Sequence, residues 1–236
     1  MMEPSPRLDD IHIIAGEKLE RLFSLNPVNL KHPLPERPAR ALGLIKIDGT
    51  VFSSKELLRA LILNINIAYI RGVRTIFLGP RIDLGLPVFS AEIILMGRKR
   101  MFFLDIQRRG GYDRHDDTEL YNRLVTIKDT YRDLFAEPLN HKGEIKNIFS
   151  RAACYMKTSR DQDEQAIKLL HAYLDVFITM VQQAPLLTGN ALEQARRDYD
   201  AYTKTVVDHD PAAKVYRILF GKVGGAERVL DLFFAC

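Results

Sequence analysis

Residues 88–107, VFSAEIILMGRKRMFFLDIQ, decide the fold that we predict for this chain. The two apolar stretches, 88–96 and 101–107, have the length and the β-branched and aromatic content of strands. Residues 97–100 between them, a glycine followed by three basic residues, predict a turn. Strands joined by so short a connection pair antiparallel, because a parallel pair needs a long crossover.

The same pattern extends towards the N-terminus. We predict strands at 41–47 and 73–78, with a hairpin turn at Asp48-Gly49, a turn at Gly72 and a loop at 80–87. Residues 51–67 are ambiguous. Residues 53–56, SSKE, resemble a capping box that would open a helix, whereas 61–70 are rich in β-branched residues, so we favour a strand for the later part.

Helical periodicity marks the two ends of this strand-rich half. We predict a helix at 8–25, followed by an extended loop at 26–38, which holds four prolines. Beyond Gly110-Gly111 we predict helices at 118–135, 163–183 and 192–207, two short final helices, and a late strand at 152–157. Helices gathered after a meander indicate a layered α/β fold with the sheet in the middle.

The composition is that of an ordinary globular protein. Of 236 residues, 47% are hydrophobic, which suits one large core, so we expect a single domain at 1–236 with residues 1–8 as a flexible tail. The 34 basic and 30 acidic residues give a net charge of +4, which favours an acidic partner or anionic ligand. This excess is too small for a dedicated nucleic-acid binder.

The chain shows few signs of export, membrane insertion or metal binding. It has two cysteines in no motif, no signal-peptide pattern at 1–10 and no apolar run of about 18 residues. We therefore expect a cytoplasmic protein without a membrane anchor. Its six histidines never pair at metal-ligand spacing, and no glycine-rich phosphate loop follows a strand, so we expect no bound metal, nicotinamide or flavin.

Three segments stand out, and each has an ordinary structural explanation. They are 79–107, with Glu92 inside an apolar strand; 143–159, which holds Phe149 and Ser150; and 198–234, which holds HDP at 209–211 and FG at 220–221. Glu92 could face solvent at a sheet edge or be paired in the core. Asp210 could be a helix N-cap, followed by Pro211 at the first helical position.

Together, in this order and spacing, the segments resemble the ferredoxin-dependent bilin reductases, such as the phycocyanobilin and phycoerythrobilin:ferredoxin oxidoreductases. The resemblance covers residues 41 to 234. It implies a three-layer α/β/α sandwich with a central antiparallel sheet, and a linear tetrapyrrole between the sheet and the C-terminal helices. It also implies that no cofactor is bound and that electrons come singly from a reduced two-iron ferredoxin, whose acidic surface suits a basic partner.

The resemblance also assigns the site residues. Glu92 falls where the family has its central sheet aspartate, Asp210 falls at the helix-side aspartate, and His209 is a second possible donor, so these three are the expected catalytic residues. Thr75 and Leu63 replace a histidine and its glutamate partner, which favours a two-electron over a four-electron reduction. The expected substrate-binding residues are Thr75, Phe89, Asp105, Lys142, Phe149, Ser150, Lys157, Lys214 and Arg217, the basic ones as candidates for the propionates.

The resemblance implies a reductase of biliverdin in which Glu92 and Asp210 donate protons. We expect the protein to be a monomer. A carboxyl group among apolar residues has a raised pKa and can carry a proton at neutral pH. Three alternatives remain open: a bilin-binding protein with little or no activity, a reductase of a chlorophyll-derived linear tetrapyrrole, and an unrelated α/β binding module.

Overall fold

Eight strands form a single sheet in which every described pair is antiparallel. The structure is a computed structural model and describes residues 7–109, 115–135, 137–138 and 143–234. The strands are β1 (Asn26–Pro27), β2 (Ile45–Ser53), β3 (Leu57–Ile67), β4 (Ile70–Pro80), β5 (Val88–Met96), β6 (Lys99–Gln107), β7 (Glu137–Pro138) and β8 (Cys154–Ser159). Their spatial order is β1-β2-β3-β4-β5-β6-β8-β7, so β2 to β6 form the predicted meander.

Helices cover both faces of the sheet. They are α1 (Ile11–Leu22), α2 (His115–Thr130), α3 (Asp163–Gln183), α4 (Gly189–His209), α5 (Pro211–Phe220) and α6 (Lys222–Phe233). Short 3-10 helices lie at Leu8–Asp10, Ala39–Ala41, Ile82–Leu84, Arg132–Phe135, Glu144–Ile148 and Arg160–Gln162. Side chains of α1, α2 and α3 share one apolar cluster with the sheet, and side chains of α4, α5 and α6 share the other. The predicted α/β/α sandwich is therefore confirmed.

Strand β5 shows how the sequence alternates between the two layers. Phe89, Ala91, Ile93 and Leu95 are fully buried in the cluster of α1, α2 and α3. The residues between them, Ser90, Glu92 and Ile94, belong to the opposite face, because successive side chains of a strand point to opposite sides. This second face carries the polar residues of the strand.

The predicted turn at Asp48-Gly49 is wrong. Both residues lie inside β2, where Gly49 pairs with Leu63, and a Cβ at Gly49 would lie 2.6 Å from the Leu63 side chain. The glycine therefore serves close packing, and the chain turns instead at 54–56. There the Ser54 hydroxyl accepts hydrogen bonds from the backbone N–H groups of Glu56 (3.1 Å) and Leu57 (3.0 Å). The helix-capping pattern thus forms a turn between strands.

Gly72 likewise lies within a strand and not at a turn. The turn between β3 and β4 is at 68–69, and Gly72 follows it with φ +122°. A Cβ at this position would lie 1.9 Å from the Ile65 carbonyl oxygen, beside an irregularity in the β3–β4 pairing. Glycine is required here because the two backbones approach too closely for a side chain.

The flexible tail predicted at residues 1–8 extends too far into the chain, because residue 8 is part of the folded core. Leu8 is fully buried, and its N–H donates a hydrogen bond to Asp163 Oδ2 (3.3 Å) at the start of α3. The buried Arg100 guanidinium binds both Asp163 (3.3 Å) and Asp9 (3.0 Å), so the start of the first helical segment is held against the sheet. Residues 1–6 lie outside the described residues.

Candidate functional site

A cavity lies between the sheet and the layer of C-terminal helices. Its volume is about 300 Å³, or about 870 Å³ when its open mouth is included. The lining residues are Ser90, Glu92, Ile94, Met101, Phe103, Gln107, Ile145, Phe149, Tyr155 and Asp210. An apolar and aromatic wall with a few polar groups is typical of a site for a small organic ligand.

Glu92 is in the middle of a row of residues that crosses five strands. Thr75 lies opposite Glu92 on β4, with Leu63 beyond it on β3, and Phe103 lies opposite on β6, with Tyr155 beyond it on β8. Directly opposite residues of paired strands present their side chains on the same face. The row therefore forms the floor of the site, although Thr75 is itself buried and is not among the cavity-lining residues.

The Glu92 carboxyl group is poised to exchange a proton near neutral pH. Burial raises its pKa from an ordinary 4.5 to about 7, and the negative charge of Asp210 contributes to the same increase. Both effects disfavour the ionised form. A carboxyl group with this pKa can hold a proton at pH 7 and give it up to a ligand in the cavity.

Asp210 enters the cavity from the helical layer. It is the residue between the last residue of α4, His209, and the first residue of α5, Pro211, and its N–H bonds the Val206 carbonyl oxygen (3.0 Å). The structure thus gives Asp210 the predicted position at the start of a helix and also makes it a lining residue of the cavity. The two interpretations of this aspartate are compatible.

A loop that precedes β8 forms the aromatic side wall. The Phe149 ring lies 5.1 Å from the Phe103 ring. The next residue, Ser150, donates its N–H to Asp105 Oδ2 (2.9 Å) and its hydroxyl to the other carboxyl oxygen. Asp105 is fully buried, and burial raises its pKa to about 6 although the Ser150 hydrogen bonds oppose the increase. We find that Asp105 and Ser150 support the wall from behind and do not line the cavity themselves.

Two residues that the sequence suggested for the site lie away from the cavity. Phe89 points to the opposite face of the sheet, where its ring lies 5.7 Å from that of Phe177 in α3. Successive side chains of a strand point to opposite faces of the sheet, so Phe89 cannot share the cavity face with Ser90 and Glu92. His209 is exposed in the last turn of α4 and does not line the cavity. We therefore drop Phe89 and His209 from the candidate site.

The candidate basic residues occupy different positions around the cavity. Lys157 lies exposed on β8, opposite Met101 and on the same face as Tyr155, both of which line the cavity. Lys214 is exposed on α5, and the Arg217 guanidinium donates a hydrogen bond to the Val207 carbonyl oxygen. Lys142 lies outside the described residues. Lys157 is thus the best placed of these for an anionic group of a ligand at the mouth.

Sequence reasoning missed several residues that line or support the cavity. Ser90 and Ile94 flank Glu92 at a spacing of two, and this period could have identified them. Gln107 also lines the cavity, and the buried Tyr202 hydroxyl of α4 donates a hydrogen bond to its side-chain oxygen. That partnership joins residues 95 positions apart, and no local pattern indicates it.

Within the described residues, no cluster of three or more histidine, cysteine, aspartate or glutamate side chains could hold a metal ion. No helix in this part of the chain is both long enough and apolar enough to cross a membrane.

The fold is an α/β/α sandwich with a candidate ligand site beneath its C-terminal helices. Carboxyl groups line this cavity from the sheet and from the helical layer. Residues 14–234 match the sequence model of the ferredoxin-dependent bilin reductase family. The chain therefore belongs to this family.

The chain is similar to a curated protein in sequence and to a solved structure in fold. The chain is 18% identical over 161 residues to a phycoerythrobilin:ferredoxin oxidoreductase of Prochlorococcus marinus (strain MIT 9312). That match covers 66% of this chain and 64% of the relative, so the chain spans less than two thirds of that protein's length. The crystal structure of tomato phytochromobilin synthase in complex with biliverdin has a similar fold, with a TM-score of 0.80 and 17% identity, over 95% of this chain and 82% of that one.

Proposed function

We propose that this protein reduces biliverdin, or a closely related linear tetrapyrrole, with electrons from reduced ferredoxin. The observation that carries the proposal is that Glu92 and Asp210 line one largely apolar cavity, Glu92 from the sheet and Asp210 from the helical layer. A flat conjugated ligand between these layers would have a carboxyl group available on each side. Family membership supplies the ligand class and the electron donor.

The chemistry requires protons as well as electrons. Reduction of one carbon–carbon double bond takes two electrons and two protons, and ferredoxin delivers its electrons one at a time. A conjugated lactam system accepts an electron more readily once it is protonated. Glu92, whose pKa is about 7, can give the first proton at neutral pH, and Asp210 can give the second from the other layer. Solvent at the open mouth then restores both protons.

A two-electron reduction fits the row of residues around Glu92 better than a four-electron one. Thr75 and Leu63, the neighbours of Glu92 on β4 and β3, do not titrate. The floor on that side of Glu92 therefore offers no further proton donor. A single donor at the centre of the floor favours reduction at one position of the tetrapyrrole.

The aromatic wall and the basic rim suit the remaining parts of such a ligand. Phe103, Phe149 and Tyr155 offer ring surfaces to a conjugated system. Lys157 at the edge of the cavity face can bind a propionate, with Lys214, Arg217 and Lys142 as further candidates. We expect the net charge of +4 to assist docking of an acidic ferredoxin. The absence of a resident cofactor, the monomeric state and the cytoplasmic location stay predictions.

An anaerobic spectroscopic experiment tests the proposal. The protein is mixed with biliverdin, reduced ferredoxin is added, and the visible spectrum is followed. A red-shifted band of bound bilin that converts to a blue-shifted product supports a reductase, and chromatography then identifies the reduced bond. A bound band that never changes would make the protein a bilin carrier. If biliverdin is not bound, the same assay with a chlorophyll-derived linear tetrapyrrole tests the remaining ligand class.

A further inference from the structure

The side chain of Gln107, the last residue of β6, lines the cavity and is bonded to the helical layer. The buried hydroxyl group of Tyr202 in α4 donates a hydrogen bond to its side-chain oxygen, Oε1. Gln107 is 6% exposed, so the amide is enclosed between the sheet and α4. The bond therefore connects the floor of the cavity to a helix of the opposite layer and restricts the orientation of the amide.

The bond from Tyr202 leaves the amide nitrogen of Gln107, Nε2, for another partner. An amide has an acceptor oxygen on one side and two N–H donors on the other. No described residue accepts a hydrogen bond from Nε2, and Nε2 is not among the fully buried unpaired atoms of the described residues. The nitrogen therefore keeps some accessible surface. Because Gln107 lines the cavity, its donors are available to a ligand there.

A second polar group lies at the same end of the cavity. Gln107 pairs with Val88 on β5, and Ser90 is two residues further along the same face of that strand. Diagonal neighbours of this kind lie roughly 7–8 Å apart, within reach of a long side chain. Ser90 also lines the cavity, and its hydroxyl group can donate or accept a hydrogen bond. The end of the cavity thus combines an N–H donor with an adaptable hydroxyl.

We propose that Gln107 binds a lactam oxygen of the ligand through Nε2, and that Tyr202 is the positioning residue that keeps Nε2 directed at the cavity. The proposal rests on the proposed function, which supplies a linear tetrapyrrole with lactam groups. A lactam presents an acceptor oxygen beside an N–H donor. Gln107 supplies the matching donor, and the Ser90 hydroxyl can accept from the lactam nitrogen.

This contact would fix where the ligand lies along the floor of the site. Gln107 is four residues from Phe103, and Phe103 lies directly opposite Glu92. At the rise of a β-strand, four residues span about 13 Å. A lactam held at Gln107 therefore determines which carbon atoms of the ligand lie near the Glu92 carboxyl group, and so which position can be protonated.

Three variants and one matched control test the proposal. Gln107→Glu keeps an acceptor for Tyr202 and removes both N–H donors, and Gln107→Met removes the donors without adding a charge. Tyr202→Phe keeps the amide but releases it to rotate. The control is Tyr121→Phe, because the Tyr121 hydroxyl donates to the Ile106 carbonyl oxygen (3.2 Å) from the opposite face of β6.

The measurements are the affinity for biliverdin and the infrared band of its isotope-labelled lactam carbonyls in the complex. A hydrogen bond to a carbonyl oxygen lowers the frequency of this band. We expect both Gln107 variants to bind about tenfold more weakly and to move the band to higher frequency. Tyr202→Phe should lose less affinity and broaden the band. Tyr121→Phe should change neither, although it loses a buried hydrogen bond and a lower melting temperature is expected.

A wild-type carbonyl band in both Gln107 variants overturns the proposal. Weaker binding by Gln107→Glu alone also overturns it, because the added charge would then be the cause. If Tyr202→Phe lowers the melting temperature but leaves the band unchanged, Tyr202 has a structural role only, and its assignment as a positioning residue is wrong. If the wild type binds biliverdin without reducing it, the proposed reductase function fails while these measurements still decide the role of Gln107. If the wild type does not bind biliverdin, both proposals fail.

Discussion

Glu92 on β5 and Asp210 at the start of α5 belong to different layers of the fold, yet they line the same cavity and interact through their charges. The interaction makes the proton affinity of each carboxyl group depend on the state of the other. When Asp210 is ionised, Glu92 holds its proton more tightly. Glu92 is therefore suited to keep a proton near neutral pH and to deliver it to a ligand between the layers.

Replacement of Glu92 by glutamine should separate binding from proton transfer. The amide has nearly the same shape, so we expect biliverdin to bind with a similar affinity. It cannot donate an acidic proton, so single-turnover reduction by ferredoxin should slow by about 100-fold or more. Glu92→Asp, which keeps the acid and shortens the side chain, is the matched control and should retain part of the activity. Normal turnover by the glutamine variant would show that Glu92 is not the donor.

Asp210→Asn tests whether this residue acts only as a helix cap. Asparagine caps a helix N-terminus about as well as aspartate does, so the melting temperature should stay close to that of the wild type. Removing the negative charge lowers the pKa of Glu92, and the pH at which activity is lost should move to lower values. Activity that changes only in proportion to thermal stability would support the capping role alone.

The raised pKa of Glu92 also predicts how stability depends on pH. The folded protein holds this proton up to about pH 7, whereas the unfolded chain releases it near 4.5. The proton therefore stabilises the fold at low pH, and this contribution disappears as the pH rises from 4.5 to 7. Across 2.5 pH units the loss is about 3 kcal/mol as an upper estimate. Urea unfolding of Glu92→Gln should show greater stability than the wild type at pH 8 and little difference at pH 4.

Much of this fold could be predicted from local patterns. The strand at 88–96 and the helix at 163–183 occur where they were predicted, because long apolar runs and clear helical periodicity leave few alternatives. The two wrong turns, at Asp48-Gly49 and Gly72, arose because glycine signals both turns and close backbone packing. Only the neighbouring strand, which supplies Leu63 or the Ile65 carbonyl, distinguishes these uses.

Less of the candidate site than of the fold could be predicted from the sequence. Family resemblance identified Glu92 and Asp210, and the structure places both on one cavity. It could not identify the hydrogen bond between Tyr202 and Gln107, because the two residues are 95 positions apart in the chain. Phe89 was wrongly included among the substrate-binding residues. It is close to Glu92 in the sequence, but the alternation of side chains along β5 points it to the other face of the sheet.

Ser150→Ala should loosen the aromatic wall of the cavity. The variant removes the hydroxyl that bonds the buried Asp105 carboxyl, so we expect a loss of about 1–3 kcal/mol of stability. Because Phe149 directly precedes Ser150 in the chain, bilin affinity should fall as well. Ser54→Ala, which removes the hydroxyl that organises the β2–β3 turn, is the control and should reduce stability while leaving affinity intact. Equal affinities for both variants would argue against this supporting role.

Lys157 is the basic residue that we expect to bind a propionate, because it lies on the cavity face of β8 opposite Met101. Lys157→Gln should weaken biliverdin binding by a few-fold to about tenfold, the range expected for a partly exposed ion pair. The effect should decrease at high salt, because solvent ions screen such a pair. Lys55→Gln, which changes an exposed lysine in the turn between β2 and β3 that does not line the cavity, is the matched control for the loss of one positive charge.

The dimethyl ester of biliverdin makes this last comparison specific. If Lys157 binds a propionate carboxylate, the ester should bind the wild type and Lys157→Gln equally well, because neither complex contains the ion pair. The free acid should distinguish the two proteins, so the four affinities form a cycle that isolates the interaction. An equal loss for acid and ester would mean that Lys157 acts through packing or through the general charge of the surface, and the propionate would then bind another residue.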